Sequence, residues 1–381
     1  MKTRAGFLTI LAAMLGALAL SAVPADAVTP PSPSVKVMTW NLFPGFDDEP
    51  VIAAAMSGDE EALVEAGTVA WQQVHDTDFR RRVRDIAGWI RLAGPDIVAV
   101  QEAARWVAVD SAGREVERID FLEILVAALH DLGASYEVAS VSDNFDVPLP
   151  AMLDDGNLGY ATLTDRDAIL VKSKNSRIAV SNPQHGTYYY HLAPPDFPLA
   201  LTRGWASIDV AVGEKSFRFV TSHLEDPSPD PTALTPLQMA QAQEMVSIGL
   251  SGGIPAVFAG DFNTDGFRKW DTYKLLTGDL GLTDAWTTAW PRLPGLTWGN
   301  SPDLLNRFPR FTQRIDLVLF AGSFQVQGRW SLRWGFRNAR HTRKESTAYS
   351  PTWALLRTTA IVPRTPCSVM PGRNQRRMGS M

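Results

Sequence analysis

The chain has 381 residues, 45% of them hydrophobic, which is enough apolar side chain to bury a large core, and α/β chains of this size often fold as one domain. Its 36 Lys and Arg against 41 Asp and Glu give a formal net charge of -5, which excludes a protein that coats nucleic acid by charge alone. A single cysteine, Cys367, excludes an internal disulfide, and its place in a Pro- and Arg-rich tail argues against a catalytic thiol.

In chain order, Lys2 and Arg4 precede an apolar run from Ala5 to Val23 and then Ala25-Asp26-Ala27. This is the pattern of a secretory signal peptide over residues 1–27, and it predicts cleavage after Ala27 and a secreted product, extracellular or periplasmic. An uncleaved anchor is the competing reading, and the Gly, Ser and Pro in the run weaken it. Residues 28–34 read as a linker, and residues 35–360 as the folded domain. Val35 to Leu42 alternates like a strand. Asp78 is placed to cap a helix in which Val83, Ile86, Ala87 and Ile90 recur at helical spacing, ending at Gly94-Pro95. Short apolar strands follow at Asp96 to Gln101, Asp167 to Val171, Gly204 to Val210 and Phe217 to Leu224, then a helix from about Pro236 to Leu250, then strands at Val257 to Asp261 and Arg314 to Phe320. Asp143 to Asn157 and Asn182 to Pro198, rich in Pro, Asp, Tyr and His, read as long surface loops able to shape a groove. Residues 361–381 read as a disordered basic tail. Strands interleaved with helices indicate an α/β or α+β sandwich.

Five of these strands end in polar groups: Asn41, Glu102, His223, Asp261 with Asn263, and Asp316. Each has a plain alternative. Gly260-Asp261-Phe262-Asn263 is good turn chemistry, Asn41 suits a strand-end turn, Asp316 could pair with Arg314, and a lone histidine is more often structural than catalytic. Asp284 reads as structural. Five such ends from adjacent strands are harder to dismiss, because clustered ionisable groups repel unless a metal or substrate offsets the cost. Carboxylates and amides without a Cys or His cluster suit a hard ion, Mg²⁺ or Mn²⁺.

Thr39-Trp40-Asn41-Leu42, Val100-Gln101-Glu102, Ser222-His223-Leu224-Glu225, Gly260-Asp261-Phe262-Asn263 and Arg314-Ile315-Asp316 follow the order and approximate spacing of the endonuclease/exonuclease/phosphatase superfamily, which the chain resembles from Val35 to about Phe320. Arg203-Gly204-Trp205-Ala206-Ser207 resembles the exported bacterial members. The resemblance implies a four-layer sandwich of two packed mixed β-sheets flanked by helices, and metal-assisted attack of water on a phosphoester. It implies that Glu102 ligates the cation with Asn41 beside it, that His223 and Asn263 hold the scissile phosphate, and that Asp261 orients the water or leaving group. Asp316 would fix the tautomer of a histidine near the C-terminus. The expected substrate is a phosphoester, either nucleic acid, phospholipid or sugar phosphate, handled by a monomer without a protein partner. Arg166, Lys172 and Arg203 are candidate groove cations for a nuclease. Tyr188 to Tyr190 or Phe197 would serve a lipid phosphodiesterase as apolar loop tips; the Tyr run could equally be a packed strand.

One motif departs from the family. Where a Ser-Asp-His triplet is expected, the chain has Ser350-Pro351-Thr352, and neither Pro nor Thr can replace an acid or an imidazole. Three accounts compete: His341, His185 or His191 fills the gap; the protein binds phosphoesters without efficient turnover; or a reading-frame change near Arg340 produced the Arg-, Thr-, Ser- and Pro-rich end. Losing one member of a catalytic set costs orders of magnitude in rate, so weak or absent activity is expected for the chain as written.

Overall fold

The computed structural model describes residues 34–192, 201–228, 230–306, 310–326 and 352–358. The signal peptide, most of the linker, the tail, Phe197, His341, Pro351 and Cys367 lie outside these residues. Ser34, assigned to the linker from sequence, is already in the first strand.

The elements in order are β1 (Ser34–Asn41), α1 (Glu49–Ser57), α2 (Glu60–Thr77), α3 (Phe79–Ala93), β2 (Ile97–Gln101), β3 (Arg105–Val109), β4 (Glu115–Asp120), α4 (Phe121–Asp131), β5 (Tyr136–Met152), β6 (Leu158–Lys172), β7 (Ala179–Thr187), β8 (Gly204–Val212), β9 (Lys215–His223), α5 (Pro231–Leu250), β10 (Ala256–Asp261), α6 (Asp271–Lys274), β11 (Thr283–Asp284), α7 (Ala285–Ala289), β12 (Asp316–Ala321), β13 (Phe324–Val326) and β14 (Thr352–Thr358). One sheet runs β13-β14-β1-β2-β6-β3-β4 with β5 paired along β6, and the other runs β11-β12-β10-β9-β8-β7. Both are mixed: β1 is parallel to β2 and β9 to β10, while β12 and β14 are antiparallel to their neighbours.

Alternation on the strands fixes the layers. On β1, Val35 and Val37 join Ile208, Phe219, Val257 and Val318 in a core between the sheets. Met38 and Trp40 point the other way, into a core with α2, α3 and α4. Val220, Phe258 and Leu319 pack outward from the second sheet against Ala242, Met245 and Val246 of α5. The result is helix, sheet, sheet, helix: the expected four-layer sandwich. Each fully buried Val, Leu, Ile or Phe in it contributes roughly 1.5–3 kcal/mol. β2 is buried at every position, which is why Ile97 to Val100 reads as an unbroken apolar run.

Helix α3 forms where the periodicity predicts it. The Asp78 carboxylate accepts from the Arg81 backbone N–H, the predicted stripe is buried, and Gly94 closes the helix at φ 58. The two predicted loops are corrected. Asp143 to Met152 belongs to β5, and Asn182 to Thr187 to β7. Among the described residues β5 pairs with β6 alone, so as an edge strand it tolerates Pro148 and Pro150, and its pairing slips twice, at Val138/Ser140 and Asp143/Phe145.

Gly260 is needed at its position. It pairs with Ser222 across β9 and β10, and a Cβ there would collide with the Ser222 carbonyl oxygen and the Phe262 ring. Gly260→Ala is expected to lower unfolding free energy by about 1–3 kcal/mol. Chemical denaturation measures this, and an unchanged midpoint would mean the strands are not so tightly apposed.

Candidate functional site

The parallel strands of both sheets end on the same side of the molecule. In the first sheet Asn41 pairs with Gln101, the last residue of β2, directly before Glu102. In the second, Asp261 lies between His223 on one neighbour and Asp316 on the other. Asn41 links the sheets: its Nδ2 donates to Glu102 Oε1 at 2.9 Å and to Asp261 Oδ2 at 3.0 Å. Its Oδ1 meanwhile accepts from the Phe43 N–H at 2.8 Å, so Asn41 is both turn former and site residue. The same holds for Asp261, whose Oδ1 accepts from the Asn263 N–H at 3.0 Å while Oδ2 faces Asn41. Asn263 Nδ2 lies 2.9 Å from His223 Nε2. Glu102 and Asn263 both adopt left-handed backbone, φ 50 and φ 46, which Asn tolerates and Glu seldom adopts. All six predicted residues are therefore brought to one end of the sandwich.

Glu102, His223, Asp261 and Asn263 line a cleft of ≈ 830 Å³, whose walls include Phe43, Arg203, Trp270 and Trp298. Arg166, Lys172, His185, His191 and Tyr188 to Tyr190 do not line it. Arg166 is buried and tied to Asp120 at 2.6 Å, Lys172 ends β6, and Tyr188 is a core residue whose hydroxyl donates to Ser222 Oγ. Of the three expected groove cations only Arg203 is in place. His191 Nδ1 lies against the Tyr189 carbonyl oxygen, so neither loop histidine fills the gap beside Asp316.

Asp316 is fully buried, and neither carboxylate oxygen has a hydrogen-bond partner of normal geometry among the described residues; the nearby Thr297 hydroxyl lowers its pKa but does not offset the burial that raises it. Its proposed pairing with Arg314 is overturned: Arg314 donates to Asp284 at 2.7 Å. Asp284 also caps α7 and accepts from the Tyr273 hydroxyl, the structural place expected of it.

Several supporting residues carry no motif. Arg82 is buried and donates to the carbonyls of Leu42 and Phe43, clamping the chain as it leaves β1. Gln101 bridges the sheets beneath the cleft, accepting from Thr39 and donating to Thr221. Gln238 of α5 donates to the Asn263 carbonyl at 2.8 Å. Asp165 and Asp167 share the Asn144 amide, and Asp167 also accepts the His223 backbone N–H at 3.1 Å. Two acids spaced by one residue inside an apolar strand were a legible signal for this last group.

The electrostatics are those of a site awaiting positive charge. Burial, then Asp165, raises the Glu102 carboxyl well above its usual range, and burial, then Asp261, does the same for Asp316. Burial pushes Asp261 up to about 6. Burial and Arg203 lower the His223 imidazole, so it is neutral near pH 7. Glu102 Oε2 is buried without a partner among the described residues. An oxygen donor set with an orphaned carboxylate oxygen fits a hard divalent cation. A separate group, His75, Glu117 and Asp154, has ligating atoms within 4.8 Å of one another, but it lies on α2, β4 and the β5–β6 turn and lines no part of the cleft.

The raised carboxyls set a pH dependence. An acid whose folded pKa exceeds its unfolded value holds a proton that the unfolded chain releases, so stability is lost as pH rises from about 4 through about 6. Asp261 alone accounts for up to about 3 kcal/mol. The metal-free protein should melt lower at pH 7.5 than at pH 5, and millimolar Mg²⁺ should raise the midpoint mainly at the higher pH. Thermal melts measure both, and a metal-free midpoint that rises with pH would contradict this arrangement.

Residues 38–336 match the profile of the Endonuclease/Exonuclease/phosphatase family. Among curated protein sequences none matches significantly. Among solved structures, an endonuclease/exonuclease/phosphatase family protein from Leptotrichia buccalis is 14% identical, with 86% of this chain and 100% of that one covered and a TM-score of 0.51. A family protein from Bacteroides thetaiotaomicron is 17% identical, with 86% and 99% covered and a TM-score of 0.50. At these identities the likeness is one of fold.

Proposed function

Because the chain belongs to the endonuclease/exonuclease/phosphatase family, we propose that it is an exported hydrolase of phosphoesters that works with Mg²⁺ or Mn²⁺ at Glu102 and Asn41. The observation that carries this is the convergence of Glu102 and Asp261 on one Asn41 amide, with the buried Glu102 Oε2 unpartnered among the described residues. When bound, the ion would polarise the phosphoryl group and favour hydroxide. Asp261, raised into the range of a general base, orients water or the leaving group. His223 and Asn263 hold the phosphoryl oxygens as negative charge grows. Asp316 faces no imidazole among the described residues, and with Pro351 and Thr352 in place of the family's acid and histidine we expect slow turnover. The N-terminal 27 residues support export.

The cleft favours a compact ester over a polyanion. Its rim carries Asp47, Asp48, Glu49, Asp226 and Asp271, while two of its cations, Arg268 and Lys274, are paired with Asp265 and Asp271. Trp270 and Trp298 offer flat surfaces to a ring, as sugar and base sites do. Purified mature chain with Mg²⁺ or Mn²⁺, assayed on DNA, RNA, phospholipid and sugar phosphates, tests the reading. Hydrolysis should be metal-dependent, greatest on small esters and only weakly sensitive to salt. Ion-independent behaviour with no cleavage of any substrate would leave a noncatalytic binding protein on the same scaffold.

A further inference from the structure

A second set of ligating side chains lies away from the cleft, on three separate elements. His75 is in the last turn of α2, Glu117 is on β4 and Asp154 is in the turn between β5 and β6, and their ligating atoms all lie within 4.8 Å of one another. Packing fixes the frame that carries them. The buried Trp71 ring meets the His75 ring edge-on, with centroids 4.6 Å apart. Thr68 Oγ1 of α2 accepts the Met152 N–H at 2.9 Å, and Gly67 lies so close to the Pro150 carbonyl oxygen that a Cβ there would collide with it. Asp155 closes the β5–β6 turn by accepting from Asn157, while its neighbour Asp154 has no partner among the described residues.

His75 Nε2 lies 3.4 Å from Glu117 Oε2 without hydrogen-bond geometry, and it is shut off from solvent with no hydrogen-bond partner among the described residues. A plain ion pair would account for His75 and Glu117 only. It would leave the ring nitrogen unbonded and Asp154 as a second negative charge that no Lys or Arg faces among the described residues. A metal ion accounts for all three. Bonds of about 2.0–2.2 Å to a tetrahedral ion set its ligand atoms about 3.3–3.6 Å apart, which is the spacing of Nε2 and Oε2. Two carboxylates match a divalent charge, and an imidazole nitrogen selects zinc over magnesium. The free carbonyls ending α2 add partial negative charge beside His75. We propose that His75, Glu117 and Asp154 form a zinc site, in which exposed Asp154 closes the remaining gap by side-chain rotation and a water completes the tetrahedron. The ion ties the end of α2 to β4 and to the β5–β6 turn. The same stretch of helix holds the chain that leaves β1 for the cleft: Gln73 Oε1 accepts the Asp47 N–H at 2.9 Å, and Thr77 Oγ1 donates to the Gly45 carbonyl at 3.0 Å. Zinc braces that helix and takes no part in the reaction.

The test is a calorimetric titration of the untagged protein with Zn²⁺ near neutral pH, in millimolar Mg²⁺ to occupy the cleft, beside thermal melts. One equivalent of zinc should bind and raise the melting midpoint, because an ion held by the folded chain alone stabilises it. This binding should survive Glu102→Gln, which separates the site from the cleft. His75→Asn and Glu117→Gln should each weaken it at least about 100-fold, the upper end of what losing even an outer-shell partner costs. Asp154→Asn should weaken it as well, and since Asp154 is exposed and unpartnered among the described residues, that variant should keep the metal-free midpoint of the wild type. Absence of zinc binding in the wild type overturns the proposal, as does binding that persists unchanged in folded His75→Asn or Asp154→Asn, or loss of all zinc binding in Glu102→Gln. No turnover is read, so a chain that binds zinc here and cleaves nothing would sink the hydrolase reading and leave this site intact.

Discussion

Restoring the missing pair, Pro351→Asp with Thr352→His, should raise phosphoester turnover by about 10³-fold or more. Thr352 opens β14 opposite Thr39, two positions from Asn41 along β1, so the backbone register brings this segment to the functional end of the first sheet. Asp316 is waiting there, buried, its carboxylate unpartnered among the described residues. An isolated buried acid is costly, and supplying a hydrogen-bonding imidazole relieves that cost while giving the phosphate a second donor. Asp316→Asn checks the logic. It should cancel most of the gain in the restored chain and change little in the parent. Steady-state kinetics on all four combinations measures the coupling; additive effects would show that Asp316 and position 352 do not act together.

Glu102→Gln should abolish measurable turnover and weaken Mg²⁺ binding at least about 100-fold, while making the metal-free protein more stable at pH values where the Glu102 carboxyl is ionised. The opposed signs follow from one cause. The Glu102 carboxylate is buried near Asp165 and Asp261, so removing its charge relieves repulsion in the empty cleft. The same charge is what a cation would bind. Gln keeps an oxygen able to accept from Asn41, so the scaffold stays. Calorimetric titration with Mg²⁺ beside thermal melts reads both effects. A variant that loses turnover, binds Mg²⁺ normally and melts no higher would move the cation away from Glu102.

Much of this was legible in the chain itself. Period-two and period-3.6 patterns located β1, β2, β8, β9, β10, β12 and α3, because each buries at least one face against a neighbour and hydrophobic burial leaves a mark on local sequence. The polar strand ends gave Asn41, Glu102, His223, Asp261, Asn263 and Asp316, since a strand that stops being apolar where it leaves the core announces what it presents there. What the sequence could not decide was company. Strand β5 reads as a loop because Pro148, Pro150 and its Asp and Asn residues are turn formers in local sequence, and only its pairing with β6 shows otherwise. Arg166 and Arg203 look alike in sequence, yet one is locked to Asp120 and the other reaches His223, because neighbouring strands place different partners beside them. Local patterning determined which residues leave the core. Only the packing of two sheets, through contacts between residues as distant as Asn41 and Asp261, determined which of them meet and therefore which charges a bound cation must offset.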